Sequence, residues 1–294
     1  MLNPHRLEGI SDAPDFHAVL SDISLEAVMP EPAEVHEAAS ALPTGTPIYL
    51  TDLPSRQEDK FFQVATGIYM RGLKPVPHIA ARNVASEKKL GDLLSRLFSS
   101  AGVNEVMLVG GDRARGAGPY EQAIEVIESG VLEGSGMTAV GIAAYPEGHP
   151  AISEDVLRVS LRDKLEAAER AGLKAHIVTQ FSFDAWAVVT WLRALRASGI
   201  RNKVRIGMAG PAGVPALLKF AQRCGVRASA KGLARNVTAI GKLLSRATPA
   251  EMVGDLAEAA ASENLGEIAA HFYSFGGLAQ TSKWVRDAKQ GTLA

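Results

Sequence analysis

The 294 residues carry 31 lysines and arginines against 32 aspartates and glutamates, a formal net charge of -1, so no positive field is available to hold a nucleic acid or an anionic membrane. A small molecule is the expected partner, with homo-oligomerisation left open. Hydrophobic residues make up 47% of the chain, enough for a sizeable core, and the single cysteine, Cys224, excludes an intrachain disulfide and a CxxC metal or redox site.

The chain opens on MLNPHRLEGISDAPDF, which has acidic residues and no apolar segment of signal-peptide length. No later run approaches the ~18 apolar residues that span a bilayer, and a cytoplasmic setting is expected. Residues 1–20 read as an N-terminal extension and 21–294 as one catalytic domain. Eight short runs rich in apolar and β-branched residues follow in order, near Asp22 to Val28, Pro47 to Thr51, Pro75 to Ala81, Glu105 to Val109, Thr138 to Ala144, Ala175 to Gln180, Val204 to Met208 and Ile268 to Tyr273. Between them lie segments with apolar positions three or four apart, such as LGDLLSRLFSSAG, YEQAIEVIESG and VLRVSLRDKLEAAERAG, each ending in a glycine suited to a left-handed helix cap. Two further helical patterns, KGLARNVTAIGKLLSRA and PAEMVGDLAEAAASEN, precede the eighth strand.

Strands alternating with helices predict a parallel α/β fold. No GxGxxG follows the first strand and no second composition regime appears, which favours a single closed (β/α)8 TIM barrel over an open doubly wound sheet. In such a barrel the chemistry sits at the C-terminal ends of the strands. The polar residues there are Glu26, Thr51, His78, Asp112, Tyr145, His149 and Gln180. A carboxylate inside the apolar run ISLEAVMP is costly to bury unless paired or protonated, and that cost raises its pKa toward the range of a general acid. The competing structural roles are a capping or arginine-paired carboxylate for Glu26, an N-cap for Asp112, a backbone-satisfying amide for Gln180, and core packing for the histidines and Tyr145. His271 reads as structural, Trp186 and Trp191 as packing residues, and Lys88 and Lys89 as a solvated helix face.

The motifs ISLEAVMP, PHIAARN, LVGGD, AAYPEGHP, VTQFSFD and HFYSF, in this order, resemble the methylenetetrahydrofolate reductases from about Ser24 to Phe275. The resemblance implies a barrel with FAD across its C-terminal mouth, reduced by NADH or NADPH and reoxidised by a folate bound at the same place. It implies Glu26 as the acid that protonates the folate while its five-membered ring opens, Asp112 beside the flavin and pterin rings, and Gln180 on the pterin edge. Thr51, His78, Tyr145 and His149 match flavin-contacting positions.

The chain departs from that pattern where the cofactor's phosphates would need cations. The family's arginine ahead of the glycine and aspartate after strand four is Gly110 here, and two basic positions near the end of the helix before strand six are Ala167 and Ala168. Arg113, Arg115, Arg162 or Lys164 are the available substitutes, with Lys164 one helical turn earlier on a similar face. After strand eight the family's leucine and asparagine are Phe275 and Gly276. Interconversion of 5,10-methylenetetrahydrofolate and 5-methyltetrahydrofolate is the leading expectation. Direct hydride transfer without flavin, and a non-redox folate-binding or methyltransferase barrel, are the rivals.

Overall fold

The computed structural model describes residues 17–51, 58–213, 215–217, 220 and 249–292. Eight parallel strands close into a barrel in chain order: β1 (Ser24–Ala27), β2 (Pro47–Leu50), β3 (Lys74–Ala80), β4 (Glu105–Val109), β5 (Ala139–Ala144), β6 (Lys174–Thr179), β7 (Val204–Ala209) and β8 (Ile268–Tyr273), with β8 pairing back onto β1. The helices around it are α1 (His17–Leu20), α2 (Pro32–Ala41), α3 (Glu58–Met70), α4 (Glu87–Ala101), α5 (Ala123–Glu128), α6 (Val131–Gly134), α7 (Glu154–Arg170), α8 (Ala185–Ala197), α9 (Ala250–Ser262) and α10 (Leu278–Lys289), and a short 3-10 turn (Ala81–Asn83) follows β3. All eight expected strands are present, each within a few residues of its expected ends, and the closed barrel is the observed architecture.

The helices form where periodicity and caps coincide. In α4 the apolar positions Leu90, Leu93, Leu94, Leu97 and Ala101 make one buried stripe, the Ser86 side chain accepts a hydrogen bond from the Lys89 backbone N–H, and Gly102 closes the helix in the left-handed conformation. Asp184 caps α8 in the same way through the Ala187 N–H.

Two of the four apolar clusters among the described residues shape the barrel. The larger lies between strands and helices, and a smaller one inside the barrel gathers Tyr49, Val76, Met107 and Val178. The interior is also polar, because Glu105, His176 and Arg205 are buried there on β4, β6 and β7. Room for them depends on Gly141 of β5: a Cβ at this position would fall 2.7 Å from Met107 Sδ and 3.0 Å from His176 Nε2.

Of the two extra helices expected before β8, the second is α9; the first lies outside the described residues, as does Cys224. At the start of the described residues α1 packs on α9 and β8, with Val19 and Leu20 fully buried; the rest of the expected extension lies outside the described residues. Trp191 does pack against the core, but Trp186 is 67% exposed and lies instead beneath the Arg193 guanidinium. The side of α8 on which Trp186 falls is turned away from the barrel, so an apolar residue there covers a neighbouring cation rather than a strand. Among the described residues no helix is long and apolar enough to cross a membrane.

Candidate active site

Alternation along a strand sends Ser24 and Glu26 of β1 to the same side, and likewise His271 and Tyr273 of β8. The register sets Ser24 opposite His271 and Glu26 opposite Tyr273, so a carboxylate, a hydroxyl and an imidazole converge from chain positions far apart. Glu26 keeps 13% of its side chain exposed, and it opens into a cleft also lined by Pro30, Tyr273, Phe275, Phe220 and Leu278.

Three groups surround the carboxylate. Thr51, just past β2, places its hydroxyl 3.4 Å from Glu26 Oε1 and equally far from the Ala27 carbonyl. His271 Nε2 and His78 Nε2 each approach Glu26 Oε2 to 3.4 Å. The His78 approach is off-line and makes no hydrogen bond, so that buried nitrogen is left without a partner. No lysine or arginine reaches this carboxylate among the described residues. Burial therefore pushes the Glu26 carboxyl above the ordinary glutamate value, with His78 and Thr51 pulling it back in part. Burial drives His78 below the usual histidine range, against the pull of Glu26.

The tautomer of His271 follows from its neighbours. Arg205 Nη1 lies 3.3 Å from Ser24 Oγ, and a guanidinium only donates. The Ser24 hydroxyl accepts from it and turns its own hydrogen to His271 Nδ1, at 2.8 Å. His271 is neutral, since burial and the charge of Arg205 bring its pKa down to about 3. Its single N–H is therefore on Nε2 and donates to Glu26. The chain of donors runs from Arg205 through Ser24 and His271 to the carboxylate, and Arg205 is itself anchored on Asp22 at 3.3 Å.

Below this chain Tyr49 stands edge-on to His271, with ring centroids 4.7 Å apart, and its hydroxyl meets His176 Nε2 at 2.8 Å and Glu105 Oε1 at 3.2 Å. Burial alone would raise Glu105; His176 and Lys74 beside it hold it below the ordinary carboxylate range. This lower layer is closed to the cleft and fixes the floor on which the upper layer rests.

The other sequence-derived positions are spread around the same mouth. Gln180 follows β6, and its Oε1 accepts from the next residue's backbone, Phe181 N–H, at 3.1 Å; it is not among the residues lining the cleft beside Glu26. Asp112 is exposed in the loop after β4, and the N-cap of α5 is Gln122, so the capping role weighed for Asp112 does not hold. Tyr145 and His149 pack edge to face, centroids 5.2 Å apart, in the loop after β5.

Of the substitute cations, Arg113 donates to Asn83 Oδ1 and Arg162 lies near Asp163 and Glu166. Lys164 is partly buried with no carboxylate in ion-pair range among the described residues, and burial holds it below the ordinary lysine value. Ala167 and Ala168 are buried against the core. Sequence reasoning read His271 as structural and passed over Ser24, Tyr49 and Arg205. The available signal was the two-residue spacing in SLE and HFY, which sets both polar members of each pair on the barrel side.

A curated relative, "Methylenetetrahydrofolate reductase 2" of Saccharomyces cerevisiae, is 25% identical over 166 residues, covering 54% of this chain and 27% of the relative, so the match spans about a quarter of that protein's length. Among solved structures, an "Uncharacterized protein from Clostridium thermocellum" described as binding two copies of 5-methyl-5,6,7,8-tetrahydrofolic acid aligns with a TM-score of 0.59 at 13% identity, over 91% of this chain and 95% of that one, a likeness of fold. The family profile described as methylenetetrahydrofolate reductase matches residues 54–239, more than half of the sequence, and the chain belongs to the methylenetetrahydrofolate reductase family.

Proposed function

We propose that the chain interconverts 5,10-methylenetetrahydrofolate and 5-methyltetrahydrofolate, with Glu26 as general acid and reducing equivalents from NADH or NADPH passing through FAD. The observation that carries this reading is a carboxyl at the mouth of the barrel, open to a cleft, pushed toward its protonated form by burial and touched by no fixed cation among the described residues. A general acid needs that state, and a merely structural carboxylate would be paired.

The donor set suits a flavin dinucleotide. His78 offers a buried nitrogen without a hydrogen-bond partner, Thr51 a hydroxyl, Tyr145 and His149 an aromatic pair, and Lys164 a cation with no acid beside it among the described residues. Those residues would hold FAD, and the chemistry it would supply there is hydride transfer between the nicotinamide and the folate. The chain's own residues handle the proton. Glu26 gives it to the benzoyl-side nitrogen as the bond from that nitrogen to the bridging methylene breaks. The remaining nitrogen's lone pair forms an iminium with that carbon, hydride adds to it, and a methyl group results. His271, donating from Nε2, steadies the carboxylate left behind. Tyr273 and Phe275 line the cleft and offer aromatic faces to a heterocycle, while Asp112 and Gln180, after β4 and β6 and outside that cleft, would offer an acceptor and an amide to the rings. In the reverse direction the Glu26 carboxylate takes the proton back.

The purified chain should carry a yellow flavin band that bleaches on anaerobic addition of NADH or NADPH and returns with methylenetetrahydrofolate. In Glu26→Gln the bleaching should persist at nearly the normal rate while the return slows by roughly 10²–10⁴. A colourless chain that still turns over would remove flavin from the reading, and a Glu26→Gln variant with an unchanged return would remove the acid.

A further inference from the structure

We propose that Arg82 holds the pyrophosphate of the dinucleotide cofactor, from a chain position different from that of the cation the family places there. This rests on the cofactor reading above and goes beyond it by naming the anion site. Arg82 belongs to the turn after β3, and its guanidinium reaches across to the loop after β4, where Nη2 donates to the Gly111 carbonyl. The backbones are tied as well, since Arg82 N–H donates to the Gly110 carbonyl at 3.1 Å. A Cβ built on Gly110 would lie 3.6 Å from Arg82 Nη2. Gly110 is the position of the family's missing arginine, so the guanidinium of Arg82 stands where a side chain from residue 110 would begin. The cation has changed its point of attachment while staying at the same corner of the barrel mouth.

Its surroundings suit an anion. Arg82 is partly buried, its Nε makes no hydrogen bond, and among the described residues no carboxylate lies in ion-pair range of it. A partly buried charge without a counter-ion is destabilising unless a ligand supplies one, and a guanidinium fork matches phosphate oxygens. A Cβ built on Gly111 would lie 3.0 Å from Ala80 Cβ, so the loop after β4 packs closely on the end of β3 and holds the Arg82 guanidinium in place. Arg82 sits between the ends of β3 and β4, whereas the Glu26 cleft lies between β1 and β8. A ligand with its reacting ring near Glu26 and its phosphates at Arg82 must cross the mouth, which a dinucleotide is long enough to do.

The test compares the wild-type chain with R82A, R82K and R82A/G110R, titrated at fixed salt with FAD, riboflavin, NADH and tetrahydrofolate and followed by fluorescence and calorimetry. Arg82→Ala should weaken FAD roughly 10- to 100-fold, Arg82→Lys should fall between, and riboflavin and tetrahydrofolate should hold within about twofold. Gly110 is not in the left-handed region, so position 110 accepts a side chain, and the R82A/G110R double variant should recover most of the FAD affinity. Equal losses for FAD and riboflavin would make Arg82 a brace for the loop and overturn the proposal, as would unchanged affinity or a loss confined to tetrahydrofolate. Should the wild-type chain bind NADH but no FAD, with NADH weakened in Arg82→Ala, the pyrophosphate at Arg82 is the nicotinamide's: the site stands and the flavin reading falls.

Discussion

Glu26 and His271 are two buried groups drawn toward their neutral forms by the same cause, loss of water, which shifts their pKa values in opposite directions. Burial raises the acid and lowers the base, so at neutral pH a neutral imidazole faces a carboxyl drawn toward protonation. Ser24 decides what passes between them. With its hydroxyl in place, His271 presents an N–H to Glu26 and favours the carboxylate. In Ser24→Ala the Nδ1 position loses its donor, the imidazole proton can move there, and Nε2 becomes an acceptor that favours the protonated acid. The pH dependence of folate reduction, which falls as pH rises through the Glu26 pKa, should then move its falling limb upward by roughly one pH unit. Rapid-mixing rates of flavin reoxidation across pH would read this. A limb that stays in place in Ser24→Ala would mean that the imidazole does not speak to the acid.

At the scale of elements, the wall of the cleft depends on a joint between α2 and α10. Glu34, in the first turn of α2, receives the Leu278 N–H at the start of α10 on one carboxylate oxygen and the Glu31 N–H on the other. One side chain thereby satisfies orphan donors at the N-termini of two helices, which contact one another extensively around β1. It also fixes where Leu278 and the Phe275 turn stand relative to Glu26. Glu34→Gln should cost about 1 kcal/mol and Glu34→Ala about 2 kcal/mol, measured as a shift in urea midpoint. The alanine variant should also raise the KM for folate more than it lowers kcat, because it loosens a binding wall and leaves the acid untouched. A stable Glu34→Ala chain with normal KM would show that α10 is positioned by its apolar face alone.

For the whole molecule, the barrel was legible because parallel strands buried on both faces must be short and apolar, and because each crossover helix carries its own stripe and cap. Glu26, Thr51 and His78 were legible as polar intrusions at strand ends. His271, Ser24, Tyr49 and Arg205 were not, because what makes them more than core residues is barrel closure, which sets β8 beside β1 and pairs residues more than 240 positions apart. Local pattern carries no information about that register. Arg82 was hidden for a related reason: its significance lies in an absent side chain in the loop after β4. The family profile begins after β2 and ends before β8, so Glu26 and His271 rest on geometry.

The same closure makes the molecule acid-sensitive. His271 is brought down to about 3, His176 to about 4, and His78 is also lowered, all chiefly by burial. Each is neutral in the fold but takes up a proton near pH 6.5 once unfolded, so the unfolded state binds more protons throughout the interval below that pH. Their contribution to stability is fully present above about 6.5 and is lost as pH falls toward their folded values. Asp22, held low by Lys203 and Arg205, and Glu105, held low by His176, Lys74 and Arg205, add a second loss below about pH 4. Glu26 has the opposite sign: its raised pKa favours the fold at low pH, a contribution lost as pH rises through the folded value. One carboxyl offsets only part of three histidines. Urea midpoints should therefore fall steadily from pH 6.5 to 4.5, with each histidine adding up to about 1.4 kcal/mol per pH unit. His176→Gln, which keeps an amide near the Tyr49 hydroxyl, should lower stability at pH 7 yet flatten that decline. A wild-type profile that stayed level over this interval would mean that water reaches the barrel interior and that these histidines titrate freely.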